Sequence, residues 1–132
     1  MERVKERLQA ARKALKTLQA LTDKQSLSVV ERDAAIQRFE YTFEATWKAA
    51  QMLLDRMEGV VANSPKSVVR ASWENELLND VNAQAALKMC DIRNMTVHTY
   101  NEELALSVYG QIKEYTGLLE TWISAMEKRI TE

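Results

Sequence analysis

One proline and three glycines in 132 residues leave this chain almost without the punctuation that hairpins and sandwiches need. That scarcity points to long helices. A single cysteine, Cys90, excludes an internal disulfide, and its neighbours Leu87 and Met89 suggest a buried thiol. A cytoplasmic protein follows most simply. One histidine and one cysteine, with no ligand-spaced acidic cluster beside them, give no recognisable metal site. No stretch approaches the roughly 20 apolar residues of a membrane helix. The opening MERVKERLQAARKAL is charged and amphipathic, unlike a signal peptide. A soluble protein without membrane contact is expected. Charge of one sign is also missing: 18 basic and 19 acidic residues give a formal net charge of −1. Bulk attraction to nucleic acid is therefore excluded, and any such contact must come from a few placed residues.

What is present is hydrophobic periodicity. Hydrophobic residues make up 46% of the chain, enough for one domain, residues 1–132, with a real core. Val4, Leu8, Ala11, Leu15, Leu18 and Leu21 recur at steps of three and four, a helical stripe. Residues 22–28 are polar and contain a turn. Ser28-Val29-Val30-Glu31 fits a capping box that opens a second helix. Its stripe, the most aromatic of the chain, runs through Ile36, Phe39, Phe43, Trp47, Ala50, Leu54, Met57 and Val61, and Gly59 marks a stop. It reads as core, not as a platform for stacking bases.

Ser64-Pro65 restarts the chain, with Ser64 as N-cap and Pro65 at the first helical position. A short helix carries Val68, Val69, Trp73, Leu77 and Leu78; residues 79–82 read as a turn. Another helix spans about Ala83 to Asn94, with Ala86, Leu87, Cys90 and Met95 inward. The final stripe is Leu104, Val108, Ile112, Tyr115, Leu119, Trp122, Met126 and Ile130, and Gly110 and Gly117 within it suggest close helix contact. The expected fold is all-α: an antiparallel, up-and-down four-helix bundle with one additional short helix.

The chemistry-bearing segment is RNMTVHTY, Arg93 to Tyr100. A guanidinium suited to phosphate, an imidazole of the type that titrates near neutrality and a phenol open to modification lie within it. Thr99 and Glu102 fit another capping box, which would begin the last helix beside His98 and offer its free N–H groups to a phosphate. In one continuous helix, by contrast, Arg93 and Tyr100 share a face and His98 points about 140° away from Arg93. A second protomer would then have to supply the missing half.

Plainer roles stand beside these. His98 also suits a structural hydrogen-bonder. Arg93 also suits a surface ion pair with Asp91 or Glu102, and Tyr100 an amphipathic edge position. Glu40 and Glu44, one turn apart, form a candidate acid/base pair, but Glu44 also meets Lys48 at the spacing of a helix ion pair, which is the reading favoured here.

The spacing Arg-x4-His-x-Tyr resembles the signature of the HEPN superfamily in its HepT-like branch, also described as nucleotidyltransferase substrate-binding proteins. The likeness extends to RFEYTFEATWKAAQ from Arg38, SPKSVVRASWENELL from Ser64 and RNMTVHTYNEE from Arg93, in that order. Ala85 and Ala86 stand where such proteins often carry a tryptophan. The resemblance implies a helical homodimer whose two motifs share a cleft, and a minimal nucleotidyltransferase as partner. It implies a metal-independent endoribonuclease toxin with Arg93 and His98 catalytic, Asn94 supporting, Tyr100 the acceptor of a silencing AMP and RNA the substrate. No cofactor is implied. The other reading it allows is a noncatalytic subunit that presents substrate to a nucleotidyltransferase or regulates it.

Overall fold

The Ser28 hydroxyl accepts the Glu31 N–H at 3.1 Å, and the Glu31 carboxylate accepts the Ser28 N–H at 3.0 Å. This reciprocal box starts the most aromatic helical stripe where the sequence predicts. In the computed structural model, which describes residues 1–132, the helices are α1 (Glu2–Thr22), α2 (Val29–Glu58), α3 (Pro65–Glu74), α4 (Asp80–Met95) and α5 (Glu102–Thr131). A single 3-10 turn, Thr96–His98, links the last two. Four long helices and the short α3 form the expected all-α bundle. α1 packs along α2, both lean on α5, and α3 fits against α4 and α2. None of these helices is long and apolar enough to cross a membrane.

Each stripe is buried because its apolar positions recur at the helical period. Val4, Leu8, Ala11, Leu15 and Leu18 of α1 face Ala35, Phe39, Phe43, Ala50 and Leu54 of α2 and Ile112, Leu119, Trp122 and Met126 of α5 within one core. Phe39 sits 6.2 Å from Phe43 and 6.4 Å from Tyr115, centroid to centroid, so the aromatic stripe is structural. Truncating a buried ring such as Phe39 to alanine would cost about 3–5 kcal/mol.

The ends follow local chemistry. Gly59 adopts φ 66°, and the Val60 N–H closes back on the Leu54 carbonyl at 3.1 Å. Ser64 caps α3 with Pro65 at its first position. α3 stops at Glu74, earlier than its apolar pattern suggests, and Leu77 and Leu78 reach the core from a turn in which Glu76 takes φ 64°. Residues 79–82 are not a separate turn. Asn79 caps α4 by accepting the Asn82 N–H at 2.8 Å, so they form the first turn of that helix.

Three apolar residues depart from expectation. Val61 is 74% exposed because the helix has ended before it, and Trp73 is 48% exposed on the outer face of α3. Met95, at the last position of α4, is also turned to solvent, whereas Leu87 packs against the core as expected. Gly110 and Gly117 are exposed, and a Cβ built on either meets nothing within 4 Å. They make no close helix contact within the chain.

Candidate functional site

α4 buries Ala83, Ala86 and Cys90, and Arg93 follows one step further along that stripe. Its side chain therefore points toward α2 instead of outward. There Nη1 lies 3.1 Å from Glu40 Oε2, and Nε lies 3.8 Å from Glu44 Oε1, beyond hydrogen-bond reach. Nη1 also donates to Thr96 Oγ1 at 3.0 Å. The Thr96 hydroxyl has two acceptors for its single proton, Glu40 Oε2 at 2.9 Å and the Arg93 carbonyl at 2.7 Å. Arg93 is thus held from two helices. Its partners are not Asp91 and Glu102, which are taken by Lys66 at 2.7 Å and by Arg32 at 2.5 Å. Glu44 does meet Lys48, at 3.7 Å, so both acidic residues of the α2 pair serve ion pairing.

Beyond Met95 the chain tightens into the 3-10 turn and then opens. The Thr99 hydroxyl donates back to the Thr96 carbonyl at 3.0 Å, and the Glu102 carboxylate is drawn to buried Arg32. The Thr99–Glu102 capping box therefore does not form. Asn101 caps α5 instead, its Oδ1 accepting the Leu104 N–H at 3.1 Å. Arg32 also holds the Glu102 carboxyl below the usual range, chiefly through that hydrogen bond. With Glu102 and Glu103 in its first turn, the start of α5 already faces negative charge and is a poor phosphate site.

His98 and Tyr100 stand on this turn, both exposed, Tyr100 by 85%. Their rings meet edge to face at 6.0 Å between centroids. Arg93 and Asn94 lie instead on a cavity of about 360 Å³, walled also by Phe43, Glu44, Lys66 and Val97. The four residues singled out from sequence thus fall in two groups on either side of Val97. Lys66 is the cation that sequence reasoning missed. It lies within one of the quoted blocks, but only the packing of α3 on α4 brings it to the same cavity as Arg93.

Residues 6–128 match the family model described as nucleotidyltransferase substrate binding protein like. The chain belongs to this family. Within it and around it, 85 residues are 32% identical to the probable ribonuclease HepT of Haemophilus influenzae, a stretch covering 61% of this chain and 57% of that protein. A Thermus thermophilus protein of known crystal structure is 50% identical, matching 88% of this chain and 98% of that one with a TM-score of 0.85. The tri-AMPylated Shewanella oneidensis HEPN toxin, solved in complex with MNT antitoxin, shares the fold at 17% identity. There the TM-score is 0.74, with 95% of this chain and 96% of that chain covered.

Proposed function

We propose that this family member is a HepT-like toxin: a metal-independent endoribonuclease that works as a homodimer and is silenced when a minimal nucleotidyltransferase transfers AMP to Tyr100. The observation that carries this reading is the pairing of two exposed rings, His98 and Tyr100, one 3-10 turn beyond the Arg93 cavity. The His98 imidazole takes the proton of a ribose 2′-hydroxyl, and the freed oxygen attacks the adjacent phosphorus. The bond to the 5′-oxygen breaks, and that oxygen leaves with the proton returned by the His98 imidazolium. Arg93 offsets the charge that builds on the phosphoryl oxygens, with Asn94 as a neighbouring polar contact. Because His98 is exposed and Arg93 faces inward, a second copy of the motif completes the cleft. AMP on Tyr100 would place bulk and negative charge against His98 and repel RNA phosphate.

A second reading, a noncatalytic subunit of a nucleotidyltransferase, draws on a different observation. Glu40 and Glu44 already absorb much of the charge of Arg93. Labelled RNA incubated in chelator with unmodified protein, beside His98→Ala prepared identically, separates the two. Cleavage by wild type alone, leaving 2′,3′-cyclic phosphate ends, is expected. Equal cleavage by both proteins, or none by an unmodified dimer, would overturn the ribonuclease and favour the subunit.

A further inference from the structure

A second pocket of about 270 Å³ opens between α1, the C-terminal half of α2 and the 59–64 connection. Gln51 pins that connection by donating to the Ala62 carbonyl at 2.7 Å, which shapes the pocket. Three of its lining residues are cations, Arg7, Lys48 and Arg56, all exposed, against one acid, Asp55. Asp55 lies 3.9 Å from Arg56, a loose contact that neutralises little. With Lys48 paired to Glu44 at 3.7 Å, the local surplus of positive charge rests on Arg7 and Arg56.

The pocket neighbours the Arg93 cavity. Glu44 walls one and Lys48 the other, 3.7 Å apart, while Asn63 of the second pocket is followed directly by Ser64 of the first. Along α2 the distance from Glu44 to Arg56 is twelve residues, about 18 Å. That length passes several phosphates, since one strand of a DNA duplex carries a phosphate about every 3.4 Å.

We propose that the second pocket is a binding subsite for single-stranded RNA, in which Arg7 and Arg56 hold backbone phosphates several nucleotides from the bond to be cut. The strand runs from the cavity bearing Arg93 and Lys66, over Lys48, to these two arginines. Val61, exposed beside them, offers apolar contact to a base or ribose. Spaced cations along an open groove suit a polyanion of repeating charge better than a compact nucleotide. The proposal rests on the ribonuclease reading above, and it explains how a nearly neutral protein would hold RNA.

The test uses fluorescence anisotropy of a fluorescein-labelled ten-nucleotide oligouridylate, with His98→Ala as the parent so that the strand stays intact. Arg7→Ala/Arg56→Ala in that parent should weaken binding roughly tenfold at about 50 mM salt and reduce the log–log salt slope by about 1.4, two contacts at about 0.7 each. Lys113→Ala, exposed on α5, serves as the control and should match the parent. Unchanged affinity and slope in the double variant overturn the proposal. So does an equal loss in Lys113→Ala, an undetectable affinity in the parent, or a loss of nucleotidyltransferase binding with RNA affinity intact. Failure of the ribonuclease reading is seen separately, as absent cleavage by wild type in chelator.

Discussion

Arg93 and Glu40 meet at 3.1 Å across the contact between α4 and α2, and the Thr96 hydroxyl lies within hydrogen-bond reach of both. This three-residue bracket ties the last turn of α4 to α2 and fixes the direction of the guanidinium. It also offsets part of the charge that a phosphate would otherwise use. Orientation and neutralisation are therefore separable by substitution. Thr96→Val removes the hydroxyl from a buried position and should cost about 1–2 kcal/mol in urea unfolding. On the proposed function it should lower kcat for RNA cleavage about tenfold with little change in KM. Glu40→Gln should lower KM instead, because one of the two carboxylates that offset the Arg93 guanidinium is then neutral. Matching kinetics for both variants and wild type would show that the bracket does not position Arg93.

Tyr100 is the most exposed of the large hydrophobic side chains, and no hydrogen bond holds its hydroxyl. Tyr100→Phe should therefore unfold within about 0.5 kcal/mol of wild type. It should nevertheless fail to gain the mass of an adenylyl group when incubated with ATP and the partner nucleotidyltransferase. Ribonuclease activity should then persist in the presence of that partner. An adenylyl group found on Tyr100→Phe would move the acceptor elsewhere in the chain.

The glycines separate two physical cases. Gly59 needs a left-handed backbone, so Gly59→Ala should destabilise by about 1 kcal/mol even though a Cβ there meets nothing. Gly110 and Gly117 sit in ordinary helical positions with open space around them. Gly110→Ala and Gly117→Ala should each stabilise by about 0.5–1 kcal/mol in thermal or urea unfolding. A destabilising Gly117→Ala would mean that this face of α5 is covered in solution, as it would be in a dimer built on it.

These cases mark how far the sequence could be read. The stripes of α1, α2 and α5 and the caps at Ser28, Gly59 and Ser64 are local, set by helical period and short-range hydrogen bonds, and they were legible. Val61 was misread because its periodic spacing extends past the Gly59 stop, and Trp73 because periodicity cannot say which flank meets solvent. The start of α5 reads locally as a Thr99 cap, whereas Asn101 caps the helix. The choice depends on Arg32, some seventy residues away, drawing Glu102 out of the box. Arg93 was singled out from its spacing to His98, yet its partners Glu40, Glu44 and Thr96 became visible only with α2 packed against α4. Lys66 was invisible as a site residue for the same reason.

Acid should expose the contribution of the α2 cap. Hydrogen bonding from the Lys24 ammonium, then from the backbone N–H and side chain of Ser28, holds the Glu31 carboxyl down to about 2 against an ordinary 4.5. A carboxyl depressed in the folded state favours folding above its unfolded value, and that contribution is lost as pH falls through the folded one. The melting temperature of wild type should therefore exceed that of Glu31→Gln near pH 6, and the gap should close between pH 4.5 and pH 2. A constant gap across that window would mean that the Glu31 charge does not contribute.

Cys90 supplies a probe of the cavity itself. The thiol is buried at its wall, and burial pushes its pKa up to about 11. Because the thiolate is the reactive form, a disulfide reagent at neutral pH should label the native protein far more slowly than the urea-unfolded chain. Labelling then reports opening of the α2–α4 contact beside Arg93. A non-cleavable oligonucleotide with a 2′-deoxy linkage, bound in the cavity as proposed, should slow it further, whereas Arg93→Ala should remove that protection. Native labelling as fast as that of the unfolded chain would contradict the burial of Cys90. Native labelling that is slow but indifferent to the oligonucleotide would place RNA somewhere other than this cavity.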